Sequence, residues 1–294
     1  MTRSKLAWES KAVLLLVLPW TAVEVVLRAQ DWLARDLRAT AWILGLSAAL
    51  GGLAWLARAG SPAAAATGAV ITASLMFATA WPPFSPWNTA LVPVLAVLVL
   101  TSTATRYGRA RKERLGMAET RRGRGAAQVA ANLGVAALVA SPMMQAWMAD
   151  RFAIPYSARL PLFTVALAAL AEAAADTVSS EIGQVLGGAP VMLTTLRRVE
   201  AGTDGAISLA GTLTGVLAAG VVSVAGTLAL GGGAAMLALS WAGGVFGLFF
   251  DSLLGATLER RGWLNNDAVN FLSTASAAGF AAAALALLPL AGPR

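Results

Sequence analysis

Glu172 and Asp176 stand four residues apart in a strongly apolar stretch, so on a helix they share a face. Two carboxylates that close cannot both ionise cheaply in a low-dielectric setting, and a metal or a basic partner would resolve the conflict. Asp176 opens the first of three polar patches, Asp176-Thr177-Val178-Ser179-Ser180-Glu181-Ile182-Gly183. The second runs Leu196-Arg197-Arg198-Val199-Glu200-Ala201-Gly202-Thr203-Asp204-Gly205, and the third Asp251-Ser252-Leu253-Leu254-Gly255-Ala256-Thr257. Each lies at or just inside the end of a membrane-length apolar run. A carboxylate at membrane depth is costly, and its default reading is a functional site. Carboxylates beside two arginines and a glycine-rich turn point to phosphate bridged by a divalent metal.

The roles divide by residue type. Asp176, Glu181 and Asp251 are the candidate metal ligands and, with Arg197, the candidate catalytic set. Arg197 and Arg198 can grip phosphate bidentately. The turn Gly202-Thr203-Asp204-Gly205 is expected to open a helix at Ala206, whose first N–H groups, with Thr203, could hold phosphate oxygens. The plainer reading makes Asp204 an ordinary helix cap. The spacing of a Walker A loop is absent. Thr177, Ser180, Ser208 and Ser252 complete the candidate nucleotide contacts. Gln128 and Asn132 share a face just inside another run, and Asn270 opens the last one; these are weaker candidates for headgroup contact or helix-to-helix hydrogen bonds.

The chain contains no histidine and no cysteine. Histidine bases, thiolate nucleophiles and disulfides are therefore excluded, and any metal must be held by oxygen, which favours Mg2+ or Mn2+. Of the 294 residues 57% are hydrophobic and 13% charged, with a mean hydropathy of +0.69. Soluble domains carry about 25% charged residues, so the chain reads as an all-α, polytopic membrane bundle forming one integral membrane domain. Nine windows are long enough to cross the bilayer: about 12–27, 39–57, 62–80, 86–105, 126–148, 160–178, 206–229, 233–257 and 267–290. The first is short and holds Pro19 and Glu24, but charged sequence rather than a small-residue cleavage site follows it, so it reads as a span and not a signal peptide.

With nine spans and the N-terminus in the cytoplasm, sixteen of the 22 basic residues fall on the inner face, eight of them between Arg106 and Arg124. That bias selects this orientation over its inverse. It places all three patches on the cytoplasmic side, where a soluble nucleotide reaches them. The net charge of +7 is read as topology and attraction to anionic lipid, not nucleic-acid binding. Gly211-Thr212-Leu213-Thr214-Gly215 and Gly243-Gly244-Val245-Phe246-Gly247 are close-packing motifs that should bring the last spans together.

Several ordered motifs carry a family resemblance. Ala175-Asp176-Thr177 with Ser180-Glu181-Ile182-Gly183, Arg197 and Val199 with Gly202-Thr203-Asp204-Gly205-Ala206 and Ser208, Gly211-Thr212, Asp251-Ser252-Leu253-Leu254-Gly255-Ala256-Thr257, Asn270-Phe271-Leu272, and Arg124 with Gln128-Val129 and Asn132 resemble one integral-membrane family. It is that of transmembrane protein nineteen and the plant and cyanobacterial phytyl-phosphate kinases (domain of unknown function ninety-two). The resemblance runs from roughly residue 40 to the C-terminus. Residues 1–38 match no pattern of the family, and Trp81 to Trp87 forms an unusual proline-rich turn.

The resemblance implies a nucleoside triphosphate of CTP type and an isoprenoid monophosphate acceptor, with residues 176–270 as the catalytic portion. The expected activity is phosphoryl transfer giving a prenyl diphosphate at the cytoplasmic face of a bacterial-type inner membrane. The alternatives are nucleotidyl transfer giving a CDP-lipid, and transport or flipping of an anionic substrate.

Overall fold

The computed structural model describes residues 8–114, 116, 123–151 and 159–287. Eleven helices make up nearly all of the described chain: α1 (Trp8–Arg35), α2 (Leu37–Leu56), α3 (Pro62–Thr79), α4 (Leu91–Arg106), α5 (Arg109–Arg114), α6 (Ala126–Ala140), α7 (Pro142–Arg151), α8 (Arg159–Leu186), α9 (Leu209–Leu230), α10 (Ala234–Leu254) and α11 (Asn266–Leu287). A two-stranded antiparallel ribbon, β1 (Val191–Met192) with β2 (Ala206–Ile207), lies between α8 and α9. A π turn, Gly255–Glu259, extends α10.

Each apolar window falls on one of these helices or on a bent pair. Among the described residues seven helices are long and apolar enough to cross a membrane. The pair α6–α7 makes an eighth, bent by 62° where Pro142 follows Ser141. The window 86–105 is the 16-residue α4, which at 1.5 Å per residue covers about 24 Å. The expected span ends at 288–290, and Arg3, Lys5, Glu119, Arg121, Arg122 and Arg294, lie outside the described residues.

α8 is the axis of the bundle. Its membrane-length window is 89% buried, against 17% for α1. α9, α10, α11, α6 and α4 all pack on it. Small residues permit this crowding: Ala168, Ala169, Ala171, Ala174 and Ala175 are fully enclosed. A Cβ on Gly211 would meet the Ser179 carbonyl oxygen at 2.7 Å, and one on Gly215 the Ala175 carbonyl oxygen at 2.9 Å, so the first close-packing motif seats α9 on α8. The second seats α10 between α8 and α11, with Gly243 against Ala168 and the Ala277 carbonyl.

The ends of the helices sort into two faces. At one face the turn after α2 pairs with the strand-like entry to α6 through the Gly60–Arg124 bridge, and Arg106 donates to the Ala57 carbonyl at 2.9 Å. Lys112 of α5 reaches Glu181 near the end of α8, and Ser10 of α1 donates to Asp267 of α11 at 2.6 Å. The ribbon and the π turn lie at this same end. At the other face Thr79 accepts from the Ala90 N–H at 2.8 Å, and Trp81 and Trp87 are exposed. The three polar patches thus share one end of the bundle.

Candidate functional site

The helix α8 runs on through the first patch to Leu186, so Glu172, Asp176 and Ser180 stand on one face. Glu172 is 1% exposed, at the heart of the bundle. The close approach of α10 at Gly244 and Gly247 to Ala171 and Glu172 brings Asp251 alongside Asp176, near enough for the two carboxyl groups to act on each other. Ser273 of α11 lies beside both Glu172 and Asp251. One oxygen of Glu172 and one of Asp251 are buried with no hydrogen-bond partner. Orphaned buried acceptors are rare and call for a proton, a water or an ion. The cation acting most strongly on Asp176 is Arg124, at the entry to α6.

Glu181 is placed differently from the expectation. It pairs with Lys112 at 2.5 Å, and Lys112, 1% exposed, also donates to the Ala104 and Thr105 carbonyls at the end of α4. One ammonium therefore closes an orphan helix end and neutralises Glu181. Among the described residues no three carboxylates are grouped to hold a metal jointly. The Asp176–Asp251 pair is what remains as a carboxylate clamp.

The second patch folds as a loop between β1 and β2, with Arg197 and Arg198 exposed. Two expectations fail here. The helix opens at Leu209, not Ala206, because Ala206 and Ile207 pair with Met192 and Val191 as strand. Its cap is Ser208, which accepts from the Gly211 N–H at 3.1 Å, and not Asp204. Gly183, Gly187 and Gly211 crowd around that serine, so this helix start is packed rather than open. Thr203 donates to the Glu200 carbonyl at 2.7 Å and Ser180 to the Asp176 carbonyl at 2.9 Å; Ser252 likewise donates to its own helix.

Gly205 anchors the loop. It has φ +73°, and a Cβ there would collide with the Ala256 backbone in the π turn. Gly202 has φ +87°. The loop therefore docks about one helical turn beyond Asp251. Glu259, the last residue of the π turn, feels the charges of Asp204 and Asp176. Thr177 is buried on α8. Asn270 donates to Asn132 at 3.4 Å, which joins α11 to α6, while Asn132 itself donates to the Gln128 backbone carbonyl at 2.8 Å within α6.

Sequence reasoning passed over three contributors. Lys112 looked like one more cation in a basic loop. Arg124 was part of a motif but was given no role at the carboxylates. Glu259 had no signal beyond its position eight residues after Asp251.

The family model for the integral membrane protein DUF92 matches residues 45–278. An uncharacterized membrane protein of Methanocaldococcus jannaschii is 44% identical over 108 residues, covering 37% of this chain and 45% of the relative. An uncharacterized membrane protein of Synechocystis sp. is 32% identical over 214 residues, covering 67% and 76%. The chloroplastic protein VTE6 of Arabidopsis thaliana is 32% identical over 187 residues, covering 61% and 54%. The match thus spans about half the length of the archaeal and plant relatives. No solved structure matches the chain. The model's reach, from within α2 to within α11, takes in every element that builds the carboxylate pair, and the chain belongs to the DUF92 family of integral membrane proteins.

Proposed function

We propose that this protein is a membrane-embedded kinase that moves the terminal phosphoryl group of a nucleoside triphosphate, of CTP type, to an isoprenoid monophosphate. The observation that carries the reading is the Asp176–Asp251 pair, brought from two helices to the arginine-rich end of the bundle. The motif resemblance set out above supports the choice of an isoprenoid monophosphate acceptor and a CTP-type donor, and the likeness to VTE6 is compatible with it. An acceptor phosphate oxygen attacks the terminal phosphorus, the bond from that phosphorus to its bridging oxygen breaks, and the nucleoside diphosphate leaves. The acceptor is already ionised, so no strong base is required, which suits a chain without histidine.

Magnesium is commonly held by one or two carboxylates together with substrate phosphates. Asp176 and Asp251 fit that donor set, and the orphaned Asp251 oxygen is a free acceptor at the right place. When bound, the ion neutralises charge on the phosphates. Arg197 and Arg198 hold nucleotide phosphates from the ribbon loop, and Arg124 offsets charge beside Asp176. The packed helices α8, α10 and α11 keep water from the inner side of the pair. The basic bias of this face favours a cytoplasmic orientation of the site, in a bacterial-type inner membrane.

The test is to incubate detergent-purified protein with Mg2+, CTP or ATP, and phytyl or geranylgeranyl monophosphate, and to weigh the lipid by mass spectrometry. A prenyl diphosphate is expected, and Asp176→Asn and Asp251→Asn should each lower its rate by about a hundredfold or more, the scale for loss of a main electrostatic contact. A cytidylated lipid would replace phosphoryl transfer with nucleotidyl transfer. No product with any nucleotide would overturn both.

A further inference from the structure

A cavity of about 450 Å3 opens at the same face, bounded by α2, α3, α4, α6 and Ala173 of α8. This is within the roughly 300–1,000 Å3 typical of small-molecule sites. Its origin is a gap in the packing: α2 rests mainly on α3 and α1, and α4 mainly on α8 and α9, so the walls α2 and α4 stand apart. The lining changes character with depth. Arg58, Arg106 and Arg124 stand at the mouth, and Leu50, Val97 and Leu133 line the interior. Arg109, also at the mouth, is already paired with Glu113 at 2.9 Å, whereas Arg58 and Arg106 have no carboxylate partner among the described residues.

The mouth is built rather than incidental. Arg58 holds φ +57°, an uncommon conformation for a residue with a side chain. It is kept there because Gly123 packs on the Arg58 carbonyl and Ser61 donates to the Arg124 carbonyl at 2.9 Å. That lock sets Arg58 and Arg124 side by side. Backbone strain of this kind gathers at ligand clamps. Arg124 lines the mouth and also acts electrostatically on Asp176, so the mouth and the carboxylate pair share this cation.

We infer that the cleft between α2 and α4 seats the acceptor: a single-chain lipid phosphomonoester, its phosphate on Arg58, Arg106 and Arg124 and its chain running inward past Leu50, Val97 and Leu133. The inference rests on the kinase reading for the acceptor's role but not for its binding. A free phosphate would share the arginines and leave the apolar interior unused. A charged mouth on an apolar, laterally bounded cleft matches an amphiphile that arrives from the bilayer.

Gly68 allows a clean test. It lines the cavity, and a Cβ there meets only Val129 Cγ1 at 3.8 Å, so Gly68→Leu fills the space without a backbone clash. Replacing a helical glycine also favours the helix. Binding of radiolabelled geranylgeranyl monophosphate to the full chain in detergent, without nucleotide, is the readout, with thermal unfolding alongside. Wild type should bind. Gly68→Leu should lose affinity by at least about tenfold while melting at the same or a higher temperature, and Arg58→Gln with Arg106→Gln should lose a similar factor. Inorganic phosphate at equal concentration should not displace the lipid. Asp176→Asn should still bind the lipid while its turnover falls by about a hundredfold or more.

Unchanged binding in folded Gly68→Leu overturns the cleft assignment and leaves the kinase reading standing. Full displacement by inorganic phosphate also overturns it, in favour of a free-phosphate site. Binding that Gly68→Leu abolishes, with no turnover of the wild type by any nucleotide, upholds the cleft and removes the kinase reading.

Discussion

Lys112 shows how a single side chain organises this site. It is buried among the Ala104 and Thr105 carbonyls and the Glu181 carboxylate, so its removal leaves both a charge and a helix end without a partner. Breaking a buried pair from one side costs on the order of 3–5 kcal/mol. Lys112→Ala should therefore lower the unfolding temperature markedly, and adding Glu181→Gln should recover part of the loss. Thermal melts of both variants check this; no recovery in the double variant would mean that the carbonyl contacts carry the effect. The pairing of Glu172 with Asp176 was legible, because four-residue spacing on a helix needs only the helix to be right. The Lys112–Glu181 pairing was not, because it joins residues 69 apart and one cation among eight carries no mark.

At the scale of elements, hydropathy located every apolar window but misjudged ends. α8 begins at Arg159 and runs to Leu186, well past the expected 178, because polar residues continue a helix where packing supports it and glutamate is as good a helix former as leucine. α1 extends to Arg35, with Glu24 and Arg28 facing each other one turn apart. The start of α9 was misplaced because Ala206 and Ile207 have a strand partner, and pairing with residues 191–192 leaves no local signature. The glycine motifs were read correctly as close contacts, and they make a quantitative prediction. Gly215→Val must displace α9 from Ala175 and Ser179 of α8, at a cost of about 1–3 kcal/mol for overpacking. A melt unchanged from wild type would show that the two helices have room to part.

For the whole molecule, the turn after α2, the ends of α4 and α5 with the entry to α6, and the segments between α8 and α9 and between α10 and α11 meet at one face, as an alternating bundle requires. The cavity at that face could not be foreseen, since it arises from a gap between helices and not from any motif. Orientation is directly testable because the chain has no cysteine, so a single introduced thiol labels without background. Arg198→Cys in intact bacterial cells should resist a membrane-impermeant maleimide until the cells are opened, and Trp87→Cys should react from outside. The opposite pattern would invert the orientation and put the carboxylates out of reach of cytosolic nucleotide.

The central claim is that the carboxylate pair serves transfer of the terminal phosphoryl group to a lipid phosphate. It is tested most directly by following label from CTP carrying 32P at the γ or the α position into geranylgeranyl monophosphate, with wild type and Asp251→Asn side by side. Label should enter the lipid from the γ position alone and fail to do so in the variant. Label entering from the α position, or γ transfer undiminished in Asp251→Asn, would contradict the account.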